Sequence, residues 1–211
     1  MANLIDKVHW LGHASFVVRN GKVIYFDPYH ISINDKADII LVSHEHFDHC
    51  SPDDIRKIVQ PSTVIVTVPD NQSKLASIAE EIADIKYVKP GDRLTVQGID
   101  IEAVSAYNTN KSFHPEANNW VGFVLEVDGE TIYHAGDTDL IPEMGSVKCD
   151  IALLPVSGTY VMTAEEAAKA AAQIKPGIAI PMHYGDIVGD ESDAQRFQSL
   201  CECEVRVLNA E

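Results

Sequence analysis

Within six residues the chain places His44, His46, Asp48 and His49, and each of these side chains can ligate a metal ion. Side chains alternate along extended backbone, so His44 and His46 fall on one side. Asp48 and His49 come after the backbone has turned and can face the same space from another direction. One compact segment can thus serve two neighbouring cations. Imidazole with carboxylate suits zinc, manganese, iron or nickel rather than calcium or magnesium. Taken alone, Asp137 beside Gly136 reads as an ordinary turn carboxylate. His183, ending the apolar run 178–181, reads as a ligand or as a satisfied core histidine.

These residues need strands to carry them. Ile39 to Val42 is a short continuous apolar run, as expected of a strand buried on both faces, and it leads directly into the histidine cluster. Ala14 to Arg19 and Lys22 to Phe26 flank Asn20-Gly21, a type I′ hairpin signal. Trp120 to Val127 and Glu130 to His134 repeat that pattern across Asp128-Gly129. Further strands are expected at 7–10, 63–68, 86–88, 93–96, 100–106, 150–155, 178–181 and 204–208. Ser51-Pro52-Asp53-Asp54 opens one helix, Leu75, Ile78, Ala79 and Ile82 predict another over 72–83, and Thr163-Ala164-Glu165-Glu166 is a capping box. A last helix is expected over 191–200. Residues 107–119 form a polar stretch without periodicity, a length of loop that often has a function. The coarse recurrence of hairpin, buried strand, metal-capable tip and helix suggests two similar halves packed sheet to sheet with helices outside.

Composition narrows the partners. Asp and Glu number 32 against 16 Lys and Arg, a net charge of −16 that repels phosphate backbones and anionic membranes. A small-molecule substrate is expected, with no nucleic acid and no membrane; a homo-oligomer stays open. The segment Met1 to Lys7 lacks the basic start and apolar stretch of a signal peptide, so a cytoplasmic location is expected. The four cysteines show no CxxC spacing, and Cys201 and Cys203 are expected to share the buried face of a strand. No GxxxxGK[ST], GxGxxG or GxSxG occurs, which leaves P-loop hydrolysis, Rossmann cofactor binding and a serine nucleophile unsupported.

The stretch Ser43-His44-Glu45-His46-Phe47-Asp48-His49 resembles the HxHxDH motif of the metallo-β-lactamase superfamily. Trp10-Leu11-Gly12-His13-Ala14-Ser15-Phe16, Phe26-Asp27-Pro28, His134-Ala135-Gly136-Asp137-Thr138 and Ile180-Pro181-Met182-His183-Tyr184 follow in the order of its lactonase-type branch. The resemblance spans nearly the whole chain, 1–211, as one α/β domain with the four-layer αββα sandwich fold. It implies that His44 and His46 bind a first metal, that Asp48, His49 and His183 bind a second, and that Asp137 bridges both. The family's further first-site histidine is missing where Asn108 stands. His114 folding back, Asn108 or water would complete that site. Asp27 and His13 are candidates to support the ligands or line the pocket. The resemblance further implies two divalent cations and a metal-dependent hydrolase. Its activated water attacks a small ester, lactone or phosphodiester, with Asp48 orienting the nucleophile and relaying its proton. Residues 107–119, with Lys111, His114 and Trp120, are expected to wall the substrate. The alternatives are a di-iron redox protein or a non-catalytic metal-binding module on the same scaffold.

Overall fold

The computed structural model describes residues 3–211, so Met1 and Ala2 of the N-terminal segment lie outside the described residues. The first sheet is built in chain order from β1 (Val8–Gly12), β2 (Ser15–Arg19), β3 (Val23–Phe26), β4 (Ile39–Val42), β5 (Val64–Thr67) and β6 (Asp84–Tyr87). The second holds β7 (Arg93–Val96), β8 (Ile99–Ser105), β9 (Val121–Val127), β10 (Glu130–His134), β11 (Ile151–Pro155), β12 (Ile178–Met182) and β13 (Glu204–Val205). Each half of the chain therefore makes its own sheet. In each, antiparallel hairpin strands pass into parallel ones: β3 to β6 in the first, β10 to β13 in the second.

The period-two alternation of the strands decides the layering. In the first sheet Phe16, Val18, Ile24, Phe26, Ile39, Leu41, Val64 and Val66 face the second sheet in one core. Their neighbours Val17, Tyr25, Ile40, Val42 and Ile65 face outward and join Ile55 and Ile58 of α1 (Pro52–Ile58) and Leu75 of α2 (Gln72–Leu75). On the far side, α3 (Ala164–Ile174) lays Ala167, Ala170, Ala171 and Ile174 against the second sheet, and α4 (Glu191–Leu200) adds Ala194 and Phe197. The result is helix, sheet, sheet, helix. Thr163 and Glu166 form the expected capping box of α3, and Ser51 accepts from the amide of Asp54 at the start of α1. Among the described residues no helix is long and apolar enough to cross a membrane.

Several local expectations change. The helix expected over 72–83 ends at Leu75, because Ile78 and Glu81 donate to carbonyls three residues back, at Leu75 and Ile78. Such 3₁₀ turns align every third side chain, so Leu75 and Ile78 are buried while Ala79 is exposed. The chain then enters β6 two residues earlier than expected. Arg19 pairs with Val23, so the Asn20-Gly21 hairpin spans three residues and needs a left-handed residue only at Gly21. The Asp128-Gly129 turn has positive φ at both residues, as type I′ demands. The closing strand is two residues long, and Cys201 and Cys203 precede it as half-buried thiols rather than sharing a strand face. Burial pushes the Cys201 thiol up to about 12.

One glycine controls how closely β9 approaches the turn that follows β10. A Cβ on Gly122 would lie 2.6 Å from the His134 carbonyl oxygen and 2.7 Å from that of Ala135. Both are backbone atoms leading into Gly136 and Asp137. Gly122→Ala should therefore destabilise the protein by about 1–3 kcal/mol through overpacking, read as a lowered urea midpoint. An unchanged midpoint would show that the strands have room to separate.

Candidate metal centre

All the metal-capable side chains named above meet at one edge. His13 follows β1, Asp27 follows β3, and His44 to His49 follow β4; His114 lies in the loop after β8, Asp137 follows β10 and His183 follows β12. The crevice outside the carboxyl ends of parallel strands is where open α/β sheets place ligands. After Val42 the backbone turns, with the amides of His49 and Cys50 both donating to the His46 carbonyl. That turn sends Asp48 and His49 away from His44 and His46. Three residues of the site hold left-handed backbone without being glycine: His13 at φ 50°, Asp27 at φ 42° and His183 at φ 61°. Such strain concentrates at functional sites. It is held here by the His13 carbonyl, which accepts from the Trp10 indole and the His183 amide.

The side chains form two clusters, His44–His46–His114–Asp137 and His13–Asp48–His49–His183, each with ligand atoms within 4.8 Å of one another. In the first, His44 Nε2 lies 3.0 Å from His46 Nδ1, and His114 Nε2 lies 3.2 Å from His46 Nδ1. Asp137 Oδ2 is 3.1 Å from His114 Nε2 and 3.9 Å from His44 Nε2. A tetrahedral cation with ligands at about 2.0–2.1 Å has edges of about 3.3 Å, which these distances bracket. In the second, Asp48 Oδ2 is 3.0 Å from His13 Nε2, 3.6 Å from His49 Nε2 and 3.9 Å from His183 Nε2. Asp137 touches this cluster too, with Oδ1 3.3 Å from His49 Nε2 and Oδ2 3.1 Å from His183 Nε2. Its two oxygens thus face both groups.

The other ring nitrogens are tied back. His49 Nδ1 donates to Asp27 Oδ2 at 2.7 Å, and Asp27 also accepts from the Ser43 amide and hydroxyl. Because Ser43 Oγ donates to Asp27, it accepts from His44 Nδ1 at 3.0 Å. His183 Nδ1 faces Ser157 Oγ at 3.2 Å. His114 Nδ1 donates to Asn108 Oδ1 at 3.0 Å. For His44, His49 and His114 the acceptor fixes the proton on Nδ1, which turns Nε2 toward the site as ligating histidines require. Asn108 is itself fully engaged: Oδ1 also accepts from the His114 amide, and Nδ2 donates to Asp139 Oδ1 and the Tyr160 carbonyl. It orients His114 and has no free atom for a cation. Asp139, fully buried, accepts from the amides of Thr109 and Asn110 and from Lys111 Nζ, which curls residues 107–119 back over the edge.

The electrostatics call for a cation. Burial alone would raise the Asp48 carboxyl, but the charge of His49 and the hydrogen bond from His13 bring it down to about 2. Asp137, although wholly buried, is held well below the usual range by His183 and His49. Burial lowers His44 well below an ordinary histidine and opposes protonation of His49, yet Asp137, Asp48 and Asp27 raise His49 well above it. The direction of the His49 shift shows how strongly this pocket of carboxylates favours positive charge. His13 Nδ1, His49 Nε2, Asp137 Oδ1 and His183 Nε2 are buried without hydrogen-bond partners. Buried polar atoms left unpaired are costly, so the donor set fits divalent cations.

The family model of a beta-lactamase superfamily domain matches residues 7–183. The chain belongs to the metallo-β-lactamase superfamily. It is 35% identical over 95% of its length to a protein of Thermoplasma acidophilum named UPF0173 metal-dependent hydrolase, of which it covers 92%. A protein of the same name from Thermococcus kodakarensis is 34% identical over 92% of this chain and 91% of its own. A crystal structure from Parabacteroides distasonis, provisionally named a metal-dependent hydrolase, superposes with a TM-score of 0.85 at 34% identity, covering 97% of this chain and 93% of that one.

Of the residues read from the sequence, the structure gathers His44, His46, His114, Asp137, Asp48, His49 and His183 at one point. It adds His13, considered above only as support or pocket lining, within reach of Asp48. The signal available was Gly12 before a histidine at a strand end, a turn that brings the ring inward. His134, on the strand before Asp137, instead stacks on Phe26 and bonds the Ala14 carbonyl in the core.

Asn108→Ala removes the acceptor that fixes His114. It should weaken cation binding at the His44–His46–His114 cluster by about 10–100-fold, while the cluster of Asp48, His49 and His183 titrates as before. Competition with a chelator of known affinity reads both. Unaltered binding at both clusters would contradict the orienting role.

Proposed function

We propose that this chain is a metal-dependent hydrolase of small molecules. His44, His46 and His114 would hold one cation and Asp48, His49, His183 and His13 the other, with Asp137 in reach of both. The observation that carries this reading is the pair of adjacent His/Asp clusters with Asp137 in contact with each. The named activity of the relatives supports it. Zinc, manganese, iron or nickel all match the donors.

Bound cations supply a hydroxide nucleophile near neutral pH and an electrophile for the developing oxyanion. The chain's own residues set the geometry. Asp27, Ser43, Asn108 and Ser157 lock the histidine rings, so little reorganisation remains at the moment of reaction. Asp48, which lines the cavity, would orient the attacking water as an acceptor and relay its proton. The substrate is an ester, lactone or phosphodiester. The high negative charge supports a free small molecule over nucleic acid or membrane lipid.

His46→Ala should abolish hydrolysis and lower bound metal, checked by elemental analysis beside a turnover assay on an ester and phosphodiester panel. Full metal content with unchanged turnover would overturn the assignment. Because the ligands converge only in the folded chain, stripping the metals should also lower the melting temperature. Saturation at a hundredfold excess over Kd is worth about 2.7 kcal/mol. An unchanged melting temperature after confirmed metal loss would contradict this.

A further inference from the structure

The mouth of the centre is apolar. A cavity of about 270 Å³ opens directly over His46, Asp48, His114 and Asp137, and its walls are Phe47, Phe113, Tyr160 and Ile187. Among the described residues only five large apolar side chains are exposed, and three of them ring this opening: Phe47 at 64%, Phe113 at 46% and Ile187 at 37%. They come from three loops, those after β4, β8 and β12, and Tyr160 comes from a fourth, after β11. Phe113 meets Tyr160 edge to face at 4.7 Å, and Phe47 meets Tyr29 in the same way at 5.8 Å, so two of the walls are braced. Apolar side chains left in water by three separate loops at one opening mark a binding surface rather than scattered exposure.

The walls offer no cation. No Lys or Arg lines the cavity. Lys111, expected from the sequence to stand in the substrate wall, is tied to buried Asp139, and Trp120 packs behind the rings of His44 and His46. An anionic substrate would meet no fixed positive charge beyond the metals. An apolar group would instead leave water for aromatic walls. The volume, equal to about nine waters at about 30 Å³ each, suits a short alkyl chain or one aromatic ring, below the usual range of drug-sized pockets.

Building on the hydrolase reading, we propose that the site takes uncharged esters or lactones through an apolar acyl or aryl group held by Phe47, Phe113, Tyr160 and Ile187, and disfavours anionic phosphodiesters. The oxygen of water bonds to the carbonyl carbon, the carbon–oxygen bond to the leaving alkoxide breaks, and the alkoxide takes a proton. A carboxylic acid and an alcohol result, or a hydroxy acid from a lactone.

The test uses the metal-loaded full chain and two probe series. Alkyl hydroxamates of two, four and six carbons anchor on the metals and read the walls without turnover. Their affinity, measured by calorimetry, should tighten about fourfold per methylene. Phe47→Ala and Phe113→Ala should flatten that slope to about twofold or less. In parallel, kcat/KM for 4-nitrophenyl acetate, butyrate and hexanoate should rise in the same order and exceed that for bis(4-nitrophenyl) phosphate. Hydroxamate affinity independent of chain length, or faster cleavage of the phosphodiester, overturns the proposal while leaving hydrolysis standing. Graded hydroxamate binding without cleavage of any ester keeps the apolar subsite and overturns the hydrolase reading instead. A dimer that dissociates in Phe47→Ala would reassign the rim to a contact between copies.

Discussion

A carboxylate removed from water must be compensated, and three of them, Asp27, Asp48 and Asp137, are buried here at one edge of two packed sheets. In a low-dielectric interior, uncompensated charge is too costly to persist. The histidines around these carboxylates supply the answer in either of two ways, by holding a proton or by holding a cation with them. His49 responds to that demand: its three acidic neighbours raise it well above an ordinary histidine, against the effect of burial. The unpartnered atoms of His49, Asp137 and His183 show that the proton alone does not satisfy the geometry. Everything else about the edge follows from keeping those groups close.

The scaffold meets that demand through strand direction. The strands that lead into the site, β1, β3, β4, β8, β10 and β12, run the same way in their own sheets, so their carboxyl ends share a crevice. Where the chain must turn inward at once, it accepts left-handed backbone at His13, Asp27 and His183. Where a site residue comes from a long loop, a fourth buried carboxylate holds the loop: Asp139 gathers Thr109, Asn110 and Lys111, and Asn108 hands that rigidity to His114. The same loop presents Phe113 to the opening, so one anchor serves both the metal cluster and its apolar wall.

Much of this was legible from residue types. The continuous apolar run of β4 announced a strand buried on both faces, and the motif around His44 placed the chemistry at the tip of that strand. The capping box at Thr163 marked α3 to the residue. What escaped depended on tertiary choice. The stripe of Leu75, Ile78 and Ile82 fits a helix, yet the three-residue step from Leu75 to Ile78 serves a 3₁₀ turn equally well, and packing took that option. Asn20-Gly21 and Asp128-Gly129 look alike, but the register of Arg19 with Val23 lengthens only the first turn. The part played by His13 rests on a strained turn that no periodicity reveals. That Asn108 orients rather than ligates depends on Asp139, thirty-one residues away.

If Asp137 stands between two cation sites built from the two histidine clusters, anomalous diffraction from crystals of the manganese- or zinc-loaded protein will locate both ions beside it. Two peaks about 3.5–4 Å apart, one beside His44, His46 and His114 and the other beside Asp48, His49 and His183, with Asp137 reaching both, is the predicted result. A single peak that leaves either cluster empty at saturating metal, or a cation bound away from Asp137, would contradict it.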